Sequence, residues 1–169
     1  MEIFFKLLLL ILVLVLAFIP NSFFGVWFPF IIVLTLASFY GYWYWMYYVK
    51  LEDLYTIRPE LKGKINFHIF CGLTPISNND DITRGQLIVT DTHVYFFQRK
   101  SSKERTKKSS CKQIIKIQIV NIDSVEFKKI AGSRYGFAIN YLSTQTAAFM
   151  SYKIKKKKKE LSSALGFEY

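Results

Sequence analysis

Gly85-Gln86-Leu87-Ile88-Val89-Thr90-Asp91-Thr92-His93-Val94-Tyr95-Phe96-Phe97 is the stretch that decides the fold. Two runs of β-branched and aromatic residues flank a short polar break at Asp91-Thr92, which reads as a tight hairpin. Successive strand side chains alternate between faces, so His93, Tyr95 and Phe97 share one face and Phe96 takes the other. On the C-terminal side, residues 99–112 are polar and strongly basic. Strand patterning resumes at Ile114, with Ile115, Ile117 and Ile119 on one face and Lys116 and Gln118 on the other. Asn121-Ile122-Asp123 reads as a bend. Val125 and Phe127 then alternate with Glu126 and Lys128, which puts Phe127 inside with Phe96. Ala131-Gly132-Ser133 turns the chain. Two more strands, residues 135–142 and 146–152, follow around Ser143-Thr144-Gln145.

Residues 153–165 are the only good helix pattern in this half, with Gly166 as a natural stop. Its five consecutive lysines, Lys155 to Lys159, advance about 100° per residue and so reach every face. The packed part is therefore expected at Ile154, Leu161, Ala164 and Leu165. On the N-terminal side of the hairpin, residues 73–83 read as a loop with Pro75 and the cluster Asn78-Asn79-Asp80-Asp81. Before it, Ile65, Phe67, Ile69 and Cys71 alternate with Asn66, His68 and Phe70 in a further strand. The sum is an α+β domain, mainly β. It has seven antiparallel strands in a bent sheet, no long crossovers, and one C-terminal helix.

That order of motifs resembles the pleckstrin-homology-like superfamily, particularly its GRAM and bacterial membrane-anchored branches. The resemblance rests on Gly85, Leu87, Val89, Thr90, Val94 and Phe96, and on the later step Ile122-Asp123-Ser124-Val125. It covers residues 65–165. It implies a binding or adaptor module for lipid headgroups or proteins, without catalytic residues. Phosphoinositide-binding members carry basic residues in and beside the first loop. Here that loop holds Asp80 and Asp81, with Arg84 at its end, so selectivity for an inositide by that route is not expected.

Ahead of this domain, residues 7–49 contain no Asp, Glu, Lys or Arg. At a rise of about 1.5 Å per residue, the run is long enough for about two passes through a bilayer core of roughly 30 Å. Pro20-Asn21-Ser22, Gly25 and Pro29 break it where a turn would fall. The expectation is a transmembrane hairpin in residues 1–49, with helices over about 3–19 and 28–49, then a connector over 50–64 and the domain over 65–169. A cleaved signal peptide is the alternative reading of the first helix, but no small-x-small cleavage site follows Leu16, which favours retention. Tyr and Trp crowd residues 39–48, as at a headgroup interface. Lys50, Arg58, Lys62 and Lys64 lie just beyond, which places the C-terminal domain in the cytoplasm by the positive-inside rule. The expected location is the cell membrane, multi-pass. Leu51, Leu54, Tyr55 and Leu61 of the connector are expected against the membrane surface.

The 169-residue chain has a formal net charge of +11, all of it beyond the apolar run, since Glu2 and Lys6 cancel. Two cysteines, Cys71 and Cys111, form no CxxC pair and no disulfide framework. Cys71 points inward and His68 outward, so one strand does not offer both to a metal. No nucleophile elbow, phosphate-binding Gly-rich loop or H-E-x-x-H appears. Neither an enzyme, a cofactor nor a metal is expected. The remaining candidate is the basic loop: Arg99, Lys100, Lys103, Arg105, Lys107 and Lys108, facing a lone Glu104. Such a cluster close to an anionic leaflet gains up to roughly 1 kcal/mol per cation. The expected function is an integral membrane protein presenting a binding module to anionic lipid headgroups or a partner protein, with no nucleic acid. The alternative is an accessory subunit of a larger membrane complex.

Overall fold

The computed structural model describes residues 2–18, 25–74, 82–101, 104–105, 110–130 and 134–167. It divides into two compact units, Met1–Met46 and Tyr47–Tyr169.

The first unit holds helix α1 (Glu2–Phe18), a short 3-10 turn (Gly25–Trp27) and helix α2, which runs to Tyr47 (Phe28–Tyr47). The expected pair of transmembrane helices is corrected: one helix, not two, has the length and apolarity of a candidate span. Among the described residues a single helical stretch, Gly25–Ile57, is long and apolar enough to cross a membrane. The 20 residues of α2 match the roughly 20 that a bilayer core requires. The 17 residues of α1 fall short of that length and include Glu2 and Lys6. Charge-free length therefore overcounted the crossings, because within residues 7–49 only α2 reaches the length that a bilayer core requires. Residues 19–24 lie outside the described residues. In α2 the Thr35 hydroxyl donates to the Ile31 carbonyl at 2.8 Å, which satisfies that donor within an apolar stretch.

The second unit is the seven-stranded antiparallel sheet. Its strands are β1 (Phe67–Thr74), β2 (Thr83–Val89), β3 (His93–Arg99), β4 (Cys111–Gln118), β5 (Ile122–Ile130), β6 (Arg134–Tyr141) and β7 (Gln145–Met150), in spatial order 4-3-2-1-7-6-5. The turn expected at residues 131–133 lies outside the described residues. Helix α4 (Ile154–Ala164) closes the chain, and Gly166 follows it at φ +78. Strand number, antiparallel pairing and the final helix fit the pleckstrin-homology-like plan. The decisive hairpin has the expected register. Val89 faces Val94 and Leu87 faces Phe96. The turn between β2 and β3 is pinned by Thr90, whose amide donates to the His93 carbonyl at 2.9 Å and whose hydroxyl accepts the His93 amide at 3.1 Å.

Two cores fill the unit. The inner one joins Phe67, Ile69, Leu87, Phe96, Phe137, Ile139 and Phe149 to Ile154, Leu161 and Leu165 of α4. Phe137 stacks on Phe149 with centroids 5.2 Å apart. The second core lies on the opposite face of β2–β4, where Ile88, Tyr95, Phe97 and Cys111 pack with Val49, Leu54 and Leu61. The connector forms that cover, as helix α3 (Leu51–Ile57) and a 3-10 turn (Pro59–Leu61). Leu54 and Leu61, expected at a membrane surface, are instead buried against the sheet. Arg58 fastens the cover. Its guanidinium donates to Gln113 at 3.2 Å and to Glu60 at 3.0 Å. Phe96 is fully buried as expected, whereas Phe127 is only half-buried at the edge of the inner core.

Candidate functional site: the basic β3–β4 loop

The loop starts where β3 ends and closes where β4 begins. Strand pairing brings Arg99 opposite Cys111, and the Lys100 amide donates to the Ser110 carbonyl at 2.9 Å. The sequence reading gave all six basic residues of this segment one role. The structure separates those it describes. Arg99 turns back toward the start of the unit, where its Nη1 donates to the Tyr48 carbonyl at 2.5 Å. Arg105 also turns inward, and its Nε donates to the Lys100 carbonyl at 2.8 Å. Both guanidiniums thus hold backbone, and both side chains are half-buried. Lys100 is half-buried and the lone acid, Glu104, is exposed, its amide bonded to the Ser101 carbonyl at 3.0 Å. Lys103, Lys107 and Lys108 lie outside the described residues, as do Asp80 and Asp81 of the first loop.

Arg99 lies beside Tyr48, one of the first residues of the second unit. Tyr48 follows the last residue of α2, and its ring lies 6.2 Å from that of Phe70 in β1. The Arg84 guanidinium lies over the Tyr47 ring, 4.9 Å from its centroid, in cation–π range. Arg84 and Arg99, from neighbouring strands, therefore both engage the residues that lead into the unit.

The soft ligands are dispersed. Cys71 faces the inner core, and burial raises its thiol far above the ordinary range. His68 points outward from the same strand, as expected from alternation, and partial burial with Lys157 nearby lowers its pKa. His93, Tyr95 and Phe97 form a stacked row, with centroids 5.6 and 5.9 Å apart, so the shared face is a packing face. Cys111 lies under α3, and burial, then Asp53, pushes its thiol up to about 11.

The run of lysines at residues 155–159 forms a second basic surface. On α4, Lys157 lies over the Phe67 ring at 5.4 Å, Lys158 over Phe127 at 5.3 Å, and Lys155 over Tyr135 at 4.1 Å. Each of these ammonium groups lies within cation–π range of an aromatic ring of the sheet. The signal was present as lysines flanking the Ile154-Leu161-Leu165 stripe on a helical wheel.

No known protein family matches the sequence, and no curated protein matches it. Among solved structures, the chain is similar to the C-terminal domain of an unknown protein from Leishmania infantum. Identity is 13%, over 69% of this chain and 98% of that one, with a TM-score of 0.49. It is also similar to a structure of Vav1 inhibited by an allosteric inhibitor, at 9% identity over 94% of this chain and 44% of that one, with a TM-score of 0.45. At these values neither likeness bears on function.

Proposed function

We propose that this chain is a single-span membrane protein that presents a pleckstrin-homology-like binding module at the cytoplasmic face. The β3–β4 loop touches anionic lipid headgroups, and the protein acts as an adaptor without catalysis. One observation supports this reading above others. The base of the basic loop is hydrogen-bonded, through Arg99, to the carbonyl of Tyr48, the residue after the apolar helix ends. A loop rooted there needs only weak attraction, because the tether keeps its local concentration high. The cytoplasmic orientation rests on Lys50, Arg58, Lys62 and Lys64 beyond the span. The adaptor role follows the resemblance to GRAM and bacterial membrane-anchored domains.

The test uses the full chain in nanodiscs of neutral or anionic lipid, with lysine acylation read by peptide mass. Lys100, Lys103, Lys107 and Lys108 should be protected in anionic discs and regain reactivity as salt shortens the screening length below about 8 Å. Equal labelling in both lipids would sink the lipid reading. A large co-purifying assembly that shields the same lysines would favour a protein partner.

A further inference from the structure

The start of α4 and the adjoining end of β6 form a second cationic site. We infer that it binds a soluble anion with two or more adjacent phosphoryl groups. A hollow of about 400 Å³ there is lined by Tyr135, Lys155, Lys156, Lys158 and Lys159. That volume falls in the range of small-ligand sites, roughly 300–1,000 Å³. Its lining departs from the usual apolar wall, since four of the five residues are lysines and none is acidic.

Helix geometry explains the gathering. At about 100° per residue, Lys158, Lys155, Lys159 and Lys156 fall within an arc of about 160°, while Lys157 points elsewhere. Glu160, the one acid of α4, is paired with Lys157 at 3.3 Å. Lys155, Lys156 and Lys159 are exposed. Their spacings of three and four residues bring like charges side by side, an arrangement that destabilises an isolated helix. The first turn of α4 has no acidic residue, and its N-cap, Lys153, makes no side-chain cap hydrogen bond. The positive helix end and the lysines therefore add rather than cancel. Exposed Lys129, cross-strand partner of Tyr135, adds a further cation on the same face of the sheet. Of the acids on the neighbouring strand, Glu126 is engaged by Lys128 at 2.6 Å.

Ammonium groups are compact point charges with three donors each, suited to phosphoryl oxygens but not to planar recognition. Several of them around one hollow favour an anion with charge spread over linked phosphoryl groups over a single monovalent ion. The site is topologically separate from the β3–β4 loop. Strand polarity puts that loop at the C-terminal end of β3, whereas the hollow forms where β6 begins and β7 passes into α4. The inference therefore stands without the lipid reading.

The experiment titrates inorganic tripolyphosphate into the full chain in neutral nanodiscs, by calorimetry, with chloride at matched ionic strength as reference. Wild type and a Lys103→Gln/Lys107→Gln/Lys108→Gln variant should bind saturably and alike. The Lys155→Gln/Lys156→Gln/Lys159→Gln variant should bind about tenfold more weakly, as expected for three exposed charge contacts. Glutamine keeps helix propensity, and unchanged Cys71 protection would show that the variant is folded. Equal loss in both variants, or no binding beyond matched chloride, overturns the site. If the α4 variant instead loses protection of loop lysines in anionic nanodiscs, the phosphoryl groups are those of lipid, and the soluble-anion assignment falls.

Discussion

A Cβ placed on Gly85 would sit 2.1 Å from the carbonyl oxygen of Phe97 on the neighbouring strand and 2.8 Å from the Phe96 ring. The same approach recurs across the sheet, where a Cβ on Gly136 would meet the Phe149 carbonyl at 2.2 Å. Glycine at these two positions lets β2 close onto β3 and β6 onto β7. Backbone cannot step aside as a side-chain end can. Gly85→Ala is expected to destabilise the second unit by about 1–3 kcal/mol, the usual scale of overpacking. Thermal unfolding of the full chain in detergent checks this. Gly41→Ala, with nothing within 4 Å of the added carbon, is the control and should leave the sheet's midpoint unchanged.

The connector gives a second prediction. Leu54 is fully buried over the outer face of β2–β4. Leu54→Ala should cost about 2–5 kcal/mol and loosen α3 over Cys111. Faster reaction of Cys111 with a thiol reagent, ahead of global unfolding, is the expected readout. No change in either stability or thiol reactivity would mean that the connector does not cover the sheet.

Phe96 and Phe127 separate two kinds of aromatic position. Phe96 is enclosed and lies 5.6 Å from the Phe149 ring, whereas Phe127 is half-buried beneath Lys158. Phe96→Ala is expected to cost about 3–5 kcal/mol. Phe127→Ala should cost well under half of that, because much of its surface stays in water. Equal losses in denaturant unfolding would place Phe127 in the core after all.

These contrasts show what was legible in the sequence. Alternation gave β1, β4 and β5 and the inward face of Cys71, because one side of each of these strands meets the inner core. The same logic failed for β2 and β3. There Leu87-Ile88-Val89 and Val94-Tyr95-Phe96-Phe97 are apolar on both faces, the mark of strands covered on both sides. That mark was open to reading, and it called for a cover that the connector supplies. The α4 lysines show the opposite limit. Charge alone does not reveal which of Lys155 to Lys159 lie over Tyr135, Phe67 and Phe127, since those rings come from distant strands. Crossing number was misjudged because a charge-free run does not show how many of its residues a helix spends inside the bilayer. The roles of Arg99 and Arg105 also depend on backbone carbonyls, at Tyr48 and Lys100, that no side-chain pattern encodes.

Cys111 supplies a pH test. Its thiol is raised from 9.0 to about 11 in the folded chain, chiefly by burial. A raised folded pKa means that the unfolded thiol ionises first. The associated stability is complete below pH 9 and is lost as pH rises through about 11. The loss is on the order of 2 kcal/mol. Wild type should therefore lose stability more steeply than Cys111→Ala between these limits. Lysine titration affects both proteins alike and cancels in the comparison. Parallel curves would show that Cys111 is not held under α3.

Orientation can be tested at Ser101. Both native cysteines are buried, so neither reports sidedness in an intact cell. Ser101 is exposed at the start of the β3–β4 loop, and Ser101→Cys places one reachable thiol there. A loop serine carries no core contact, so the substitution should leave stability within about 0.5 kcal/mol. With the module in the cytoplasm, an impermeant maleimide should leave intact cells unlabelled and label the variant once the membrane is opened. A permeant maleimide should label it in both states, and wild type should stay dark throughout. The charges beyond the span predict this direction, since Lys and Arg near the end of a helix resist translocation. Labelling of intact cells by the impermeant reagent would reverse the orientation. It would also remove the anionic cytoplasmic leaflet from the proposed function, leaving the basic loop to face a protein or a soluble anion.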